Sequence, residues 1–236
     1  VAFQTQPGGG RPRITKGALY LLLAETAFFV VLIFGQKAGV GEFYRDYLMA
    51  SGQTFWFEGK VWTALTSPLV LLPTDFVKLL FHGLILWMFI PALERWWGMK
   101  RLLTFAAWTS ATAVVVGTLA SSFMGGEQVV LGLDAFIYSS TVAFGVVYAR
   151  HPVSFFGVLP LTGRQLAIGF CGLAAAFVLF TRQWHLGAGW GAAMGLTWLV
   201  CTDRLNPKLS YLRWKQKRLR RHLKIVREEN EKKWIN

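Results

Sequence analysis

Between residue 17 and residue 202 this chain runs through apolar stretches of membrane-spanning length, one after another, and its basic residues crowd the two ends. That segregation limits the fold more than any single motif. A soluble domain mixes charge through its sequence, whereas repeated apolar runs of this length mark a polytopic helical membrane protein. Hydrophobic residues make up 54% of the chain and charged residues only 16%. With lipid replacing much of a hydrophobic core, helix pairing must rest on close approach at small residues, and glycine is abundant.

The formal net charge of +13 raises nucleic acid as a partner. Its placement argues against one. From Asp203 onward the tail carries twelve Lys/Arg against four Asp/Glu, a net of +8. Such segments beside a membrane helix stay on the cytoplasmic side and attract anionic lipid headgroups. No nucleic-acid motif accompanies the charge, so no nucleic acid is expected. Cys171 and Cys201 lie in apolar segments without metal-ligand spacing and read as small buried hydrophobes. Neither metal nor cofactor is expected. No small-residue cleavage site follows the first apolar run, which is expected to remain as an anchor.

Three regions follow: a polar arm at 1–16, a membrane domain at 17–202 and a basic tail at 203–236. The expected spans are 17–35, 76–93, 102–123, 129–149, 165–180 and 185–201. The stretch 36–75 mixes aromatics such as Trp56 and Phe57 with charges such as Arg45 and Lys60, which suits the membrane interface. Arg11, Arg13, Lys16, Arg95, Lys100, Arg101, Arg150, Arg164 and the tail all fall on one side if there are six spans. Both termini are then cytoplasmic, and a bacterial inner membrane is the default location. Within the tail, Leu212, Leu219, Leu223 and Val226 lie near one face of a possible basic helix over 209–234.

Two acidic residues, Glu25 and Asp134, stand deep in apolar runs. An aspartyl mechanism needs two neighbouring carboxylates, and these lie on different spans with no reason to meet. Asp134 with His82 and His185 supplies metal-ligand types but no ligand spacing. Ser139 and Ser140, one to two turns beyond Asp134, are candidate hydroxyl nucleophiles, although hydroxyls in membrane helices usually bond to backbone. Gly187, Gly191 and Gly195 repeat at four-residue spacing, a stripe that lets another helix approach closely.

Several blocks resemble a bacterial-type six-span rhomboid, over residues 17–201. They are Glu58–Ser67, Leu79–Trp87 with His82, Leu93-Glu94-Arg95 followed by Gly98, Gly132-Leu133-Asp134-Ala135, and His185–Gly191. The resemblance implies an all-α, six-helix bundle. It puts Asp134 at the serine nucleophile position, Ala188 at the base position, and Lys78 and His82 at two oxyanion-donor positions. It makes Glu94 and Arg95 a loop anchor, either internally paired or an interfacial charge pair. It pairs the sixth span's glycine stripe with the fourth span. Ser-His catalysis needs a hydroxyl, an imidazole and oxyanion donors, so an inactive pseudoprotease is expected, with an active protease of divergent site as the alternative. Inactive relatives imply transmembrane clients or co-subunits as partners. A carboxylate at Asp134 needs a proton or a cation, and Lys78 or His82 is expected to provide it.

Overall fold

The computed structural model describes residues 14–125, 128–149, 152–155 and 159–202. The basic tail, with its expected helix over 209–234, and most of the polar arm lie outside the described residues. Two compact units divide the chain, Val1–Thr197 and Trp198–Asn236.

Nine helices carry the described part: α1 (Lys16–Lys37), α2 (Gly41–Leu48), α3 (Thr63–Thr66), α4 (Phe76–Met88), α5 (Ile90–Trp97), α6 (Met99–Phe123), α7 (Asp134–Val147), α8 (Gly163–Thr181) and α9 (Trp184–Cys201). A π-helical turn, Gln53–Phe57, and a 3-10 turn, Ser67–Leu69, interrupt the stretch between α2 and α4. Two small antiparallel pairs complete it. β1 (Ala50–Ser51) sets Ala50 opposite Val130 of β2 (Val129–Val130). β3 (Pro152–Phe155) pairs with β4 (Leu159–Thr162) just before α8.

This is an all-α, membrane-embedded protein. α1, α6 and α8 are long and apolar enough to cross a bilayer, and α4 with α5 makes a fourth span if the bent pair counts as one. The pair breaks by 43° at Phe89. Pro91 gives the cause: it brings no N–H to the ladder and its ring crowds the carbonyl one turn back. The expected single span over 76–93 is therefore two helices. The run at 129–149 also divides, since β2 takes its first residues and Gly132 turns the chain before α7 begins at Asp134. With 14 residues, α7 is about 21 Å long, short of a bilayer's hydrocarbon thickness of about 30 Å.

Ser67 stitches the outer connections together. Its hydroxyl donates to the Val130 carbonyl and accepts from the Ala50 amide at 3.1 Å. Trp56 reaches Thr118 on α6 through its indole N–H at 3.2 Å, and Trp62 donates to the Tyr47 carbonyl at 2.9 Å. Phe57 and Val61 remain exposed beside them, as an interfacial segment would leave them.

Glu94 and Arg95, expected to act together as a loop anchor, have separate partners. Glu94, buried on α5, accepts from the Gly17 amide at 2.9 Å, the Ala18 amide at 3.1 Å and the Thr15 hydroxyl at 2.5 Å. A carboxylate from α5 thus caps the start of α1, where free amides and the helix dipole favour an anion. Arg95 instead donates from Nε to the Pro91 carbonyl on its own helix at 3.1 Å.

Candidate functional site

Asp134 is the first residue of α7, immediately after the backbone turn at Gly132. That glycine has a φ of 84°, and a Cβ there would sit 2.9 Å from Asp134 Oδ2 and 3.1 Å from Lys78 Nζ. Both the turn and the proximity of the charged pair require a residue without a side chain. At the N-terminus of α7 the Asp134 carboxylate also meets the favourable end of the helix dipole.

The expected contact between Asp134 and α4 is present, and it has two parts. Lys78 Nζ lies 2.5 Å from Asp134 Oδ2, and His82 Nε2 lies 3.2 Å from Oδ1. Lys78 and His82 are four residues apart on one helical face, so both reach the same carboxylate. The Asp134 side chain is only 10% exposed, while that of Lys78 is 31% exposed and opens toward a cavity.

Beyond His82 the structure departs from expectation. Glu25, in the middle of α1, places Oε1 2.6 Å from His82 Nδ1. The two deep carboxylates, expected to have no reason to meet, are joined through opposite nitrogens of one imidazole. Glu25 is completely buried, and its Oε2 has no partner among the described residues. A lone acid within the first apolar run was the available signal, since a charge there demands a partner. The partner's identity depended on how α1 packs against α4.

The row opens on a cavity of about 1010 Å³. Val77, Phe81 and Phe177 are among its apolar walls, while Thr74, Gln128 and Gln183 are among its polar residues. Tyr138 of α7 and Trp190 of α9 face each other in it with ring centroids 5.0 Å apart.

α9 presents a different face from the one expected. Ala188, the expected base position, is exposed and does not line the cavity, whereas His185 is buried and does. His185 Nε2 donates to the Val129 carbonyl at 3.3 Å, and Nδ1 has no partner among the described residues. The buried row on α9 is His185, Gly189, Ala193 and Thr197. Gly189 makes the close approach: a Cβ there would lie 2.5 Å from the Ala113 carbonyl oxygen of α6. Gly187 faces Val178 of α8, and added Cβ atoms at Gly191 and Gly195 would meet nothing within 4 Å. The glycine repeat has the right period, but it lies two residues out of phase with the buried row. Two residues turn a helix by about 200°, which puts the stripe on the opposite side.

Neither Ser139 nor Ser140 lines the cavity; Ser140 donates to the Phe136 carbonyl of its own helix at 2.7 Å. Among the described residues, no three His, Cys, Asp or Glu side chains are grouped to hold a metal ion. Chemically, the site offers paired charges and an unengaged imidazole nitrogen, His185 Nδ1, on a largely apolar cavity. No family model matches this chain, and no curated protein matches it.

Proposed function

We propose that this chain is a rhomboid-like membrane protein that does not hydrolyse peptides and instead holds other transmembrane segments, as client helices or as fellow subunits. One observation carries the reading. Asp134, which the resemblance puts at the nucleophile position, is a carboxylate tied to Lys78 and His82 at 2.5 and 3.2 Å. A carboxylate engaged in this way is a poor nucleophile, and the same contacts occupy both groups that would stabilise an oxyanion. The cavity beside the pair has apolar walls that suit a helix side chain or a locally opened helix end.

In this proposal α7 and α9 complete six spans, with neighbouring helices shielding the short α7 from lipid. Both termini face the cytoplasm of a bacterial cell, and the basic tail meets anionic lipid. In a variant whose Cys171 and Cys201 are serine, a cysteine at Gly126 should label from outside intact cells and one at Lys215 should not. Labelling in the opposite sense would remove this topology.

Extraction in mild detergent followed by identification of co-purifying proteins tests the function. Several membrane proteins in varying amounts support client holding, and one partner at fixed stoichiometry supports a subunit. The same preparation should leave transmembrane peptides intact. A cleavage product that disappears in Asp134→Ala would overturn the reading in favour of a protease with a divergent site.

A further inference from the structure

We propose that Glu25, His82, Asp134 and Lys78 form an intramembrane proton-binding site, loaded from the cavity and closed at its far end. The inference does not depend on whether the protein holds client helices.

The geometry itself counts the protons. Each nitrogen of His82 faces a carboxylate oxygen, Nδ1 to Glu25 at 2.6 Å and Nε2 to Asp134 at 3.2 Å. A contact between a nitrogen lone pair and a carboxylate oxygen is repulsive unless a proton lies between them. Two contacts therefore require two protons among Glu25, His82 and Asp134. With the Lys78 ammonium against Asp134, that loading makes the row neutral overall. One proton fewer leaves a net charge of −1 in a site where Glu25 is completely buried, a costly condition in low dielectric.

The two protons have two arrangements. In one, His82 is an imidazolium donating to both carboxylates. In the other, the Nδ1 proton has moved to Glu25 Oε1, leaving a neutral imidazole that donates from Nε2 to Asp134. At 2.6 Å the transfer breaks one N–H bond and forms one O–H bond without movement of heavy atoms. The second arrangement also removes the charge from Glu25, whose Oε2 has no donor among the described residues.

Access is one-sided. Lys78, His82 and Asp134 line the cavity, and Glu25 does not. Uptake starts from a neutral His82 that donates from Nδ1 to Glu25. A hydronium ion in the cavity gives its proton to the Asp134 carboxylate and becomes water. The proton passes from Asp134 Oδ1 to His82 Nε2, restoring the carboxylate and completing the imidazolium. Charge on the row rises from −1 to 0. Beyond Glu25 no further polar partner continues the line among the described residues, so the arrangement stores a proton and does not conduct one.

Other charged groups near the row have separate places. Tyr138 on α7 and Asp75, Arg182 and His185 line the cavity. On α5, Glu94 is occupied by the start of α1 and Arg95 by the Pro91 carbonyl. Because the loaded row ties α4 to both α1 and α7, loss of the proton removes the His82 contact with Asp134 and leaves Lys78 alone to hold α4 to α7. Stability from this source is present at low pH and is lost as pH rises through the release.

The test uses the full chain in nanodiscs with 15N-labelled histidine, its His82 signal assigned by its loss in His82→Gln. The expected result is release of one proton per chain on alkalisation, accompanied by a fall in melting temperature: the imidazolium arrangement loses one N–H at His82, and the second arrangement loses the Glu25 carboxyl band as the remaining N–H moves from Nε2 to Nδ1. In Glu25→Gln, which keeps an amide acceptor for Nδ1–H, the infrared change in the carboxyl region should disappear and the His82 titration should shift. An imidazole and carboxyl spectrum unchanged with pH throughout the folded range of the wild type would overturn the proposal. So would a wild-type release that remains identical in both Glu25→Gln and Asp134→Asn. The wild-type titration is decisive even if a variant fails to fold.

Discussion

Two sides of the bundle hold their helices by opposite means, and α7 belongs to both. Toward α1 and α4, it is tied by charged side chains that bridge the gap, Lys78 and His82 to Asp134 and then His82 to Glu25. Toward α8 it is held by near contact of backbones: a Cβ at Gly145 would lie 2.3 Å from Ala167 Cβ and 3.0 Å from the Gly163 carbonyl oxygen. Gly189 brings α9 against α6 in the same manner. Long polar side chains fix which helices meet while leaving space between them, and here that space is the cavity. Glycine contacts leave none. The difference explains why the cavity opens beside the charged side and why titratable groups collect there.

The comparison breaks most severely at Asp134. Replacement by alanine leaves Lys78 and His82 without their shared acceptor and should destabilise by about 3–5 kcal/mol, the range for one-sided removal of a buried pair. Lys78→Met should cost less, since solvent screens its partly exposed ammonium. Combining it with Asp134→Ala should recover much of the loss. Unfolding in mixed micelles measures all three, and strict additivity would show that the groups do not act as a pair.

On the close-packed side, Gly189→Val forces a branched side chain against the Ala113 backbone oxygen. A cost of about 1–3 kcal/mol is expected, with little effect on the ionic row. Thermal melts read the stability, and an unchanged His82 signal confirms that the two sides are separable. A variant as stable as the wild type would show that α6 and α9 are not in near contact.

Glu94→Gln sharpens the comparison within the charged side. The amide keeps one acceptor for the start of α1 but loses the charge and one of its two accepting oxygens, for a loss of about 1–2 kcal/mol. Hydrogen exchange should increase at the Gly17 and Ala18 amides and remain unchanged near Asp134. Smallest of all, Gly191→Ala and Gly195→Ala add methyl groups where nothing lies within 4 Å. Each should stay within about 0.5 kcal/mol of the parent protein. A large loss at either position would mean that this face is packed against something in the preparation used.

What the sequence determined by itself was the solvent of the fold and the types of group within it. Long apolar runs demand helices, because backbone polar groups in lipid must be satisfied within the segment. A lone carboxylate in such a run demands a proton or a cation, and that demand was legible at both Glu25 and Asp134. The expected tie from Asp134 to Lys78 and His82 came from the family resemblance and is present in the structure. Tertiary structure decided the rest. A four-residue repeat identifies a helical face without saying which face turns inward, so the stripe at Gly187, Gly191 and Gly195 gave way to His185, Gly189 and Ala193. Ala188 is exposed, whereas His185, about one turn earlier on α9, is buried and lines the cavity. The meeting of Glu25 with His82, and of Glu94 with the start of α1, required helices far apart in sequence to pack side by side. Periodicity is a local property of the chain, whereas phase and partner are set by the free energy of the whole packed bundle.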